Sequence, residues 1–115
     1  MEDIRLKKEK MQLDGREFEL CCNFNVIADI EAYLGEFGQI LNMPPMAAAR
    51  IALSCMMNEY ADMQGWKESW TPRQAARFLP TDSTELNKSV AAIMDLVKDA
   101  VLAHEVDSAG EEGKN

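Results

Sequence analysis

The chain has 115 residues, a length that suits one domain and is short for two. Hydrophobic residues make up 47% and charged residues 28%, which is ordinary for a globular domain and too apolar for a disordered one. Its 20 acidic and 12 basic residues leave a net charge of −8, which disfavours binding to nucleic acid or to an anionic membrane.

The cysteines and the N-terminus indicate a reducing compartment. Three cysteines cannot all pair, and Cys21 and Cys22 are adjacent, too close for an unstrained mutual disulfide. The N-terminal run MEDIRLKKEK lacks the apolar segment of a signal peptide, and no stretch approaches the roughly 18 apolar residues of a membrane span. We therefore expect a soluble cytoplasmic protein.

The first 22 residues predict a β-hairpin. Asp14-Gly15 favours a two-residue turn, because glycine tolerates a positive φ. On both sides of this dipeptide apolar residues alternate with more polar ones, at Met11, Leu13, Phe18, Leu20 and Cys22. An isolated hairpin is marginal in water, so it must pack against other elements.

Two helices are predicted next. Asn23 or Asn25 can cap the first, and Gly35 suits the position just beyond its last turn. Pro44-Pro45 then interrupts the chain and opens a second helix over residues 45–62.

The capping-box sequence at 71–74 starts a third, short helix that ends near 79–80. The D-x-x-E sequence at 82–85 starts a fourth. Its apolar residues recur at steps of three and four, at Leu86, Val90, Ile93, Met94, Val97 and Val101. Together these patterns predict an α+β fold, mainly α-helical, with an N-terminal hairpin followed by about four helices. We expect one domain over 1–105 and a disordered acidic tail over 106–115.

Residues suited to catalysis or metal binding are scarce. His104 is the single histidine, and no partner for nucleophilic catalysis is evident beside it. There is no C-x-x-C pair and no phosphate-binding glycine motif, and Asp95 and Asp99 lie on the polar face of the last helix. The sequence therefore predicts no enzymatic activity, no cofactor and no metal site.

The second helix is unusually apolar. Five of the eight methionines lie between residues 43 and 63, and Arg50 is the only charged residue of this helix before Glu59. Such a helix is either wholly buried or presents a second face to a partner, and methionine suits surfaces that accept varied apolar helices. The functional hypothesis is a groove for a hydrophobic polypeptide, lined by Met46, Ile51, Met56 and Met57.

Trp66 and Trp70 are further candidates for contact with a partner, because aromatic residues are enriched at interfaces. Trp70 also stands just before a helix cap, where it can close a corner of the core. The structural role is favoured.

The order of these elements resembles the tail assembly chaperones of long-tailed bacteriophages and prophages. The similarity covers about residues 10–105, through the runs FELCCNFNVIADIEAYLGEFGQIL, AAARIALSCMMNEYA, TPRQAARFLP and TELNKSVAAIMDLVKDAVLAHE. In that family a strand leads into a capped helix with an acidic pair and a closing glycine, positions filled here by Asn25, Asp29, Glu31 and Gly35.

The resemblance implies a non-enzymatic protein of the host cytoplasm. Such chaperones bind the apolar, helix-rich tape measure protein, keep it soluble, promote assembly of the tail tube and are absent from the mature virion. The tail tube protein is a further expected partner. A longer form of the chain, made by ribosomal frameshifting, is another, since residues 113–115 can be encoded by a slippery, A-rich run. The alternative is a structural phage protein, such as a small head–tail connector, that stays in the virion.

Overall fold

The hairpin and helices predicted above are present in a computed structural model, which describes the backbone of residues 7–114 and the side chains of residues 7–103. The elements are β1 (Lys8–Leu13), β2 (Arg16–Cys21), α1 (Phe24–Leu34), a 3₁₀ helix (Phe37–Asn42), α2 (Pro45–Gln64), α3 (Pro72–Ala76) and α4 (Ser83–Lys114). The predicted α+β, mainly helical class is confirmed. The acidic tail predicted over 106–115 and His104 lie outside the described side chains.

The hairpin forms as its sequence pattern predicts. β1 and β2 are antiparallel, and Leu13 pairs with Arg16 across a two-residue turn. Asp14 and Gly15 both have positive φ, 54° and 71°, the requirement of a type I′ turn. The alternation places Phe18 and Leu20 in the core, and of the adjacent cysteines that follow, Cys22 is buried while Cys21 is half-exposed.

Local capping sets the ends of α1. Asn23 is the N-cap, and its Oδ1 accepts a hydrogen bond from the Val26 N–H at 3.0 Å. Gly35 ends the helix with φ 89°, and its N–H donates to the Glu31 carbonyl at 2.7 Å. The 3₁₀ helix that follows was not predicted from the sequence. It buries Phe37 and Ile40, which stand three residues apart and share a face at the period of three.

The caps of α3 and α4 also match the sequence prediction. Thr71 and Gln74 form a complete capping box at the start of α3. At the start of α4, Asp82 Oδ2 accepts from the Glu85 N–H at 3.0 Å. The predicted apolar face of α4 is buried from Val90 onward, while Leu86 is half-buried.

Helix α2 is the centre of the fold, since α1, α3, α4 and β2 all contact it. Every residue from Ala52 to Met57 is buried, including the polar Ser54, whose hydroxyl donates to the Ile51 carbonyl at 3.0 Å. No helix over the described residues has both the length and the apolar composition needed to cross a membrane.

Candidate binding surface at the open end of helix α2

The methionines of α2 divide between two environments. Met56 and Met57 are 1% and 0% exposed, so the prediction that they line an open groove is wrong. The physical reason is that other elements surround the middle of α2 and leave it no free face. The sequence left two alternatives for this helix, complete burial or a second face open to a partner, and the middle of α2 is buried.

Met46, in the first turn of α2, is placed differently. It is 48% exposed and lies on an apolar groove with a volume of 580 Å³. Ile51, the fourth residue predicted for the groove, is half-buried and packs against the core outside the groove lining. Of the four residues predicted to line a groove, Met46 lies on this one, at the N-terminal end of α2.

The groove lies between the start of α2 and the start of α4. After α3 the chain turns through Leu79 and Pro80 before α4 begins at Ser83. The apolar side chains that line the groove come from these segments and from the end of α3: Met46, Ala47, Ala76, Leu79, Pro80, Leu86 and Val90. Six of these seven residues lie outside the predicted set, because the groove depends on the end of α3 and on the turn between α3 and α4.

Arginine side chains form one rim of this groove. Arg50 and Arg77 line it, and together with Arg73 and Ala76 they also line an adjoining depression of 230 Å³. Among the described residues no carboxylate forms a salt bridge or hydrogen bond with any of these three arginines. The surface that combines the groove and this rim is called here the α2–α3–α4 surface.

A sequence signal for this rim exists and was missed. The segments 37–58 and 69–81 contain no aspartate or glutamate, although the whole chain carries 20. Each segment contributes arginine, and α2 and α3 pack against each other. The folded protein thus places acid-free stretches side by side and makes a basic patch on a chain of charge −8.

Trp66 and Trp70 belong to an aromatic cluster, not to the groove. Both rings meet Phe18 edge-to-face, with centroids 5.6 and 5.7 Å apart, and Tyr60 joins the same cluster at 5.5 Å from Phe18. Trp70 is buried and Trp66 half-buried. The structural role favoured for the tryptophans agrees with this packing.

Arg16 closes the exposed side of the aromatic cluster. Its guanidinium carbon lies 4.5 Å from the centroid of the Trp66 ring, and its nitrogens donate to both carboxylate oxygens of Glu68 at 2.7 and 3.1 Å. The hydrogen bonds from Arg16 lower the pKa of Glu68. This pair fastens the loop after α2 to the hairpin.

Asn58 holds the same loop from α2. Its Oδ1 accepts from the Trp70 backbone N–H at 2.7 Å, and its Nδ2 donates to the Trp70 carbonyl at 3.0 Å. Because both polar groups of the Trp70 peptide backbone are satisfied by one side chain, the loop is tied to the helix without a regular element.

The start of α1 meets α2 at Glu59, and Asn25 is one of the positions that carry the family resemblance. Its carboxylate accepts from Asn23 Nδ2 at 2.7 Å and from Asn25 Nδ2 at 3.3 Å. Burial, and then the charge of Glu59, raise the pKa of Asp29 on α1. The hydrogen bonds from Asn23 and Asn25 attach the start of α1 to α2.

The three cysteines are free thiols. Burial raises the pKa of Cys22 to about 12 and that of Cys55 to about 11, and it also raises the pKa of the half-exposed Cys21. At neutral pH they are therefore protonated and poor nucleophiles. Within the described part of the chain, no three His, Cys, Asp or Glu side chains gather into a set that could hold a metal ion.

Comparison with known proteins assigns no family to this chain. No protein-family model matches it, and neither the curated proteins nor the solved structures provide a significant match. The resemblance to tail assembly chaperones therefore depends on the sequence pattern and stays a prediction.

Proposed function

We propose that this chain is a tail assembly chaperone of a long-tailed bacteriophage or prophage. It is a non-enzymatic protein that binds the tape measure protein in the host cytoplasm and promotes assembly of the tail tube. The observation that carries this proposal is the apolar groove of 580 Å³ between the starts of α2 and α4, on a chain of charge −8.

The groove suits a temporary contact with an apolar helical segment. Its volume lies within the range of single ligand-binding pockets, roughly 300–1,000 Å³. Met46 in its wall has a flexible side chain that adapts to different apolar residues. A chaperone that the tail tube must later displace needs such a site, with modest affinity and fast release.

A chaperone must also keep the protein that it binds soluble, and the net charge of this chain supports that role. A long apolar client aggregates when its apolar stripes meet. A bound protein of charge −8 covers part of those stripes and adds mutual repulsion between complexes.

Co-expression with the tape measure protein encoded by the same genome tests the proposal. We expect the wild-type chain to keep the tape measure protein in the soluble fraction and to co-purify with it. Met46→Glu should reduce the co-purified amount about tenfold, because it places a charge in the apolar groove. Met63→Glu is the matched control, since Met63 is on the same helix, 64% exposed and outside the groove lining.

Both variants change exposed positions, so both should keep the wild-type circular dichroism spectrum and melting temperature. Equal loss of binding in the two variants, or a tape measure protein that is soluble without the chain, would contradict the proposal. Mass spectrometry of purified virions distinguishes the proposal from the alternative of a head–tail connector. A chaperone is absent from the particles, whereas a connector is present in fixed copy number.

A further inference from the structure

We infer that the α2–α3–α4 surface binds an amphipathic helix that carries acidic residues along one flank of its apolar stripe, the flank that faces α3. This inference rests on the proposed function and specifies the chemistry of the bound segment.

The rim of the groove is cationic, although the protein as a whole is acidic. Arg50 and Arg77 line the apolar groove itself, and Arg73 extends the cationic rim along α3. None of the described carboxylates pairs with them, unlike Arg16, whose guanidinium is held by Glu68 and Asp14. Guanidinium groups bind carboxylates through two parallel hydrogen bonds, so a carboxylate partner satisfies this rim best.

The composition of the groove favours a helix over an extended segment. Its lining comes from helices α2, α3 and α4 and from the turn at 79–81, and it includes no strand residue. An extended segment bound there would find no strand edge to satisfy its backbone N–H and C=O groups. A helix satisfies its own backbone and presents side chains at i, i+3, i+4 and i+7 to an apolar groove.

The two walls of the groove differ and thereby set the orientation. The wall from α4 presents the apolar Leu86 and Val90, whereas the wall from α2 and α3 carries Arg50 and Arg77. A bound helix therefore needs acidic residues on the α2–α3 side only. A symmetric acidic helix would place one row of carboxylates against an apolar wall, with no partner to offset their desolvation.

Three synthetic peptides test this inference with the full-length chain. Each has about 18 residues, roughly five helical turns, and the same leucine stripe. One has glutamate along one flank of the stripe, one has glutamine there and one has lysine. We expect the glutamate peptide to bind about tenfold more tightly than the glutamine peptide, and the lysine peptide to bind most weakly.

Charge reversal on the protein sharpens the test. Arg77→Glu lowers the charge of the three-arginine rim from +3 to +1, so it should shrink the preference for the glutamate peptide over the lysine peptide. Lys98→Glu is the matched control, because Lys98 is exposed on α4 and outside the groove lining, and it should leave that preference unchanged. In about 1 M salt, where the screening length is roughly 3 Å, the differences among the peptides should shrink.

The possible failures are distinguishable. Equal binding of the three peptides, together with no effect of Arg77→Glu, would overturn the inference of an acidic flank. The proposed function is tested separately, by the effect of Met46→Glu on co-purification of the tape measure protein. Failure of every peptide and of the tape measure protein to bind would overturn the proposed function itself. Equally tight binding of polyglutamate or single-stranded DNA, which have no leucine stripe, would show that the rim binds charge alone and would overturn the inference.

Discussion

The two ends of one helical face in α2 have opposite environments. Met46 and Met57 are eleven residues apart, so their directions around the helix axis differ by only about 20° and their positions along it by about 16 Å. Met57 is 0% exposed, whereas Met46 is 48% exposed and lines the groove. Residue type, helix and face are the same for both.

The difference between them arises from what surrounds each turn. The middle of α2 is enclosed by other elements, and its residues from Ala52 to Met57 are all buried. The first turn faces the start of α4 across the groove, and the turn at 79–81 leaves that groove open to solvent. An apolar helix can thus be core over most of its length and form an open apolar groove at one end.

The largest effect should follow from placing a charge at the buried end. Met57→Asp puts a carboxylate into a site with no exposed surface, and such a burial costs more than about 4 kcal/mol. Total stability is roughly 5–15 kcal/mol, so we expect this variant to lose its cooperative thermal transition. Circular dichroism and thermal melting measure it.

Met46→Asp is the control for that experiment, and we expect it to melt near the wild-type temperature because Met46 already contacts solvent. Met56→Asp should behave like Met57→Asp, since Met56 is also buried. A folded Met57→Asp protein with a normal melting temperature would mean that the middle of α2 is accessible, and the contrast between the two ends would be lost.

A smaller loss should follow from removing the side chain that holds the loop after α2. Asn58→Ala leaves the Trp70 N–H and C=O without the two hydrogen bonds that they make in the fold. We expect the free energy of unfolding, measured with urea, to fall by about 1–3 kcal/mol. Asn42→Ala is the control, because Asn42 is exposed and its side chain donates to Gln39 on the surface, and it should change the value by less than about 0.5 kcal/mol.

Much of the fold could be predicted because local signals determine it. Asp14-Gly15 specifies the hairpin turn, Gly35 the end of α1, and the capping box at 71–74 the start of α3. Each of these depends on residues within one turn of one another, so a single sequence contains the whole signal. The 3₁₀ helix at Phe37–Asn42 has no comparable cap, since no side chain bonds to its first turn, and it was missed.

The candidate groove could not be predicted in the same way. Helical periodicity places Met46 and Met57 on one face, but it does not say which turns other elements cover. Leu79, Pro80 and Leu86 complete the groove from parts of the chain more than 30 residues away from Met46. The acid-free segments 37–58 and 69–81 were readable, but their meaning depends on the contact between α2 and α3.

Alkaline pH should lower the stability of the fold through two buried thiols, Cys55 in the middle of α2 and Cys22 after the hairpin. The pKa of Cys55 is about 11 and that of Cys22 about 12, both above the ordinary value of 9.0 because burial disfavours the thiolate. A folded pKa raised above the unfolded one stabilises the fold below pH 9, and this contribution is lost as the pH rises toward the folded value. By about pH 10 we expect a loss of about 1 kcal/mol per thiol in the free energy of unfolding.

Urea titrations at about pH 8 and pH 10 measure the slope of the free energy of unfolding against pH. Cys55→Ala and Cys22→Ala should each flatten it, whereas Cys21→Ala, which removes a half-exposed thiol, should flatten it less. An unchanged slope in Cys55→Ala would mean that this thiol ionises as freely in the folded protein as in the unfolded chain, which is incompatible with an enclosed middle of α2.

Limited oxidation with hydrogen peroxide should have the smallest effect on stability and the most direct bearing on the two ends of α2. Peroxide converts accessible methionine into its sulfoxide, and mass spectrometry of peptide fragments reports each site. Met46 and Met63, which are 48% and 64% exposed, should react early, while Met56 and Met57 react only when the protein unfolds. Sulfoxide at Met46 should change the free energy of unfolding by less than about 0.5 kcal/mol.

A bound helix should slow the oxidation of Met46 and leave that of Met63 unaffected, because Met46 lines the groove and Met63 does not. Equal protection of both would place the partner elsewhere on the molecule, and early oxidation of Met57 would remove the distinction between core and surface on which the groove depends.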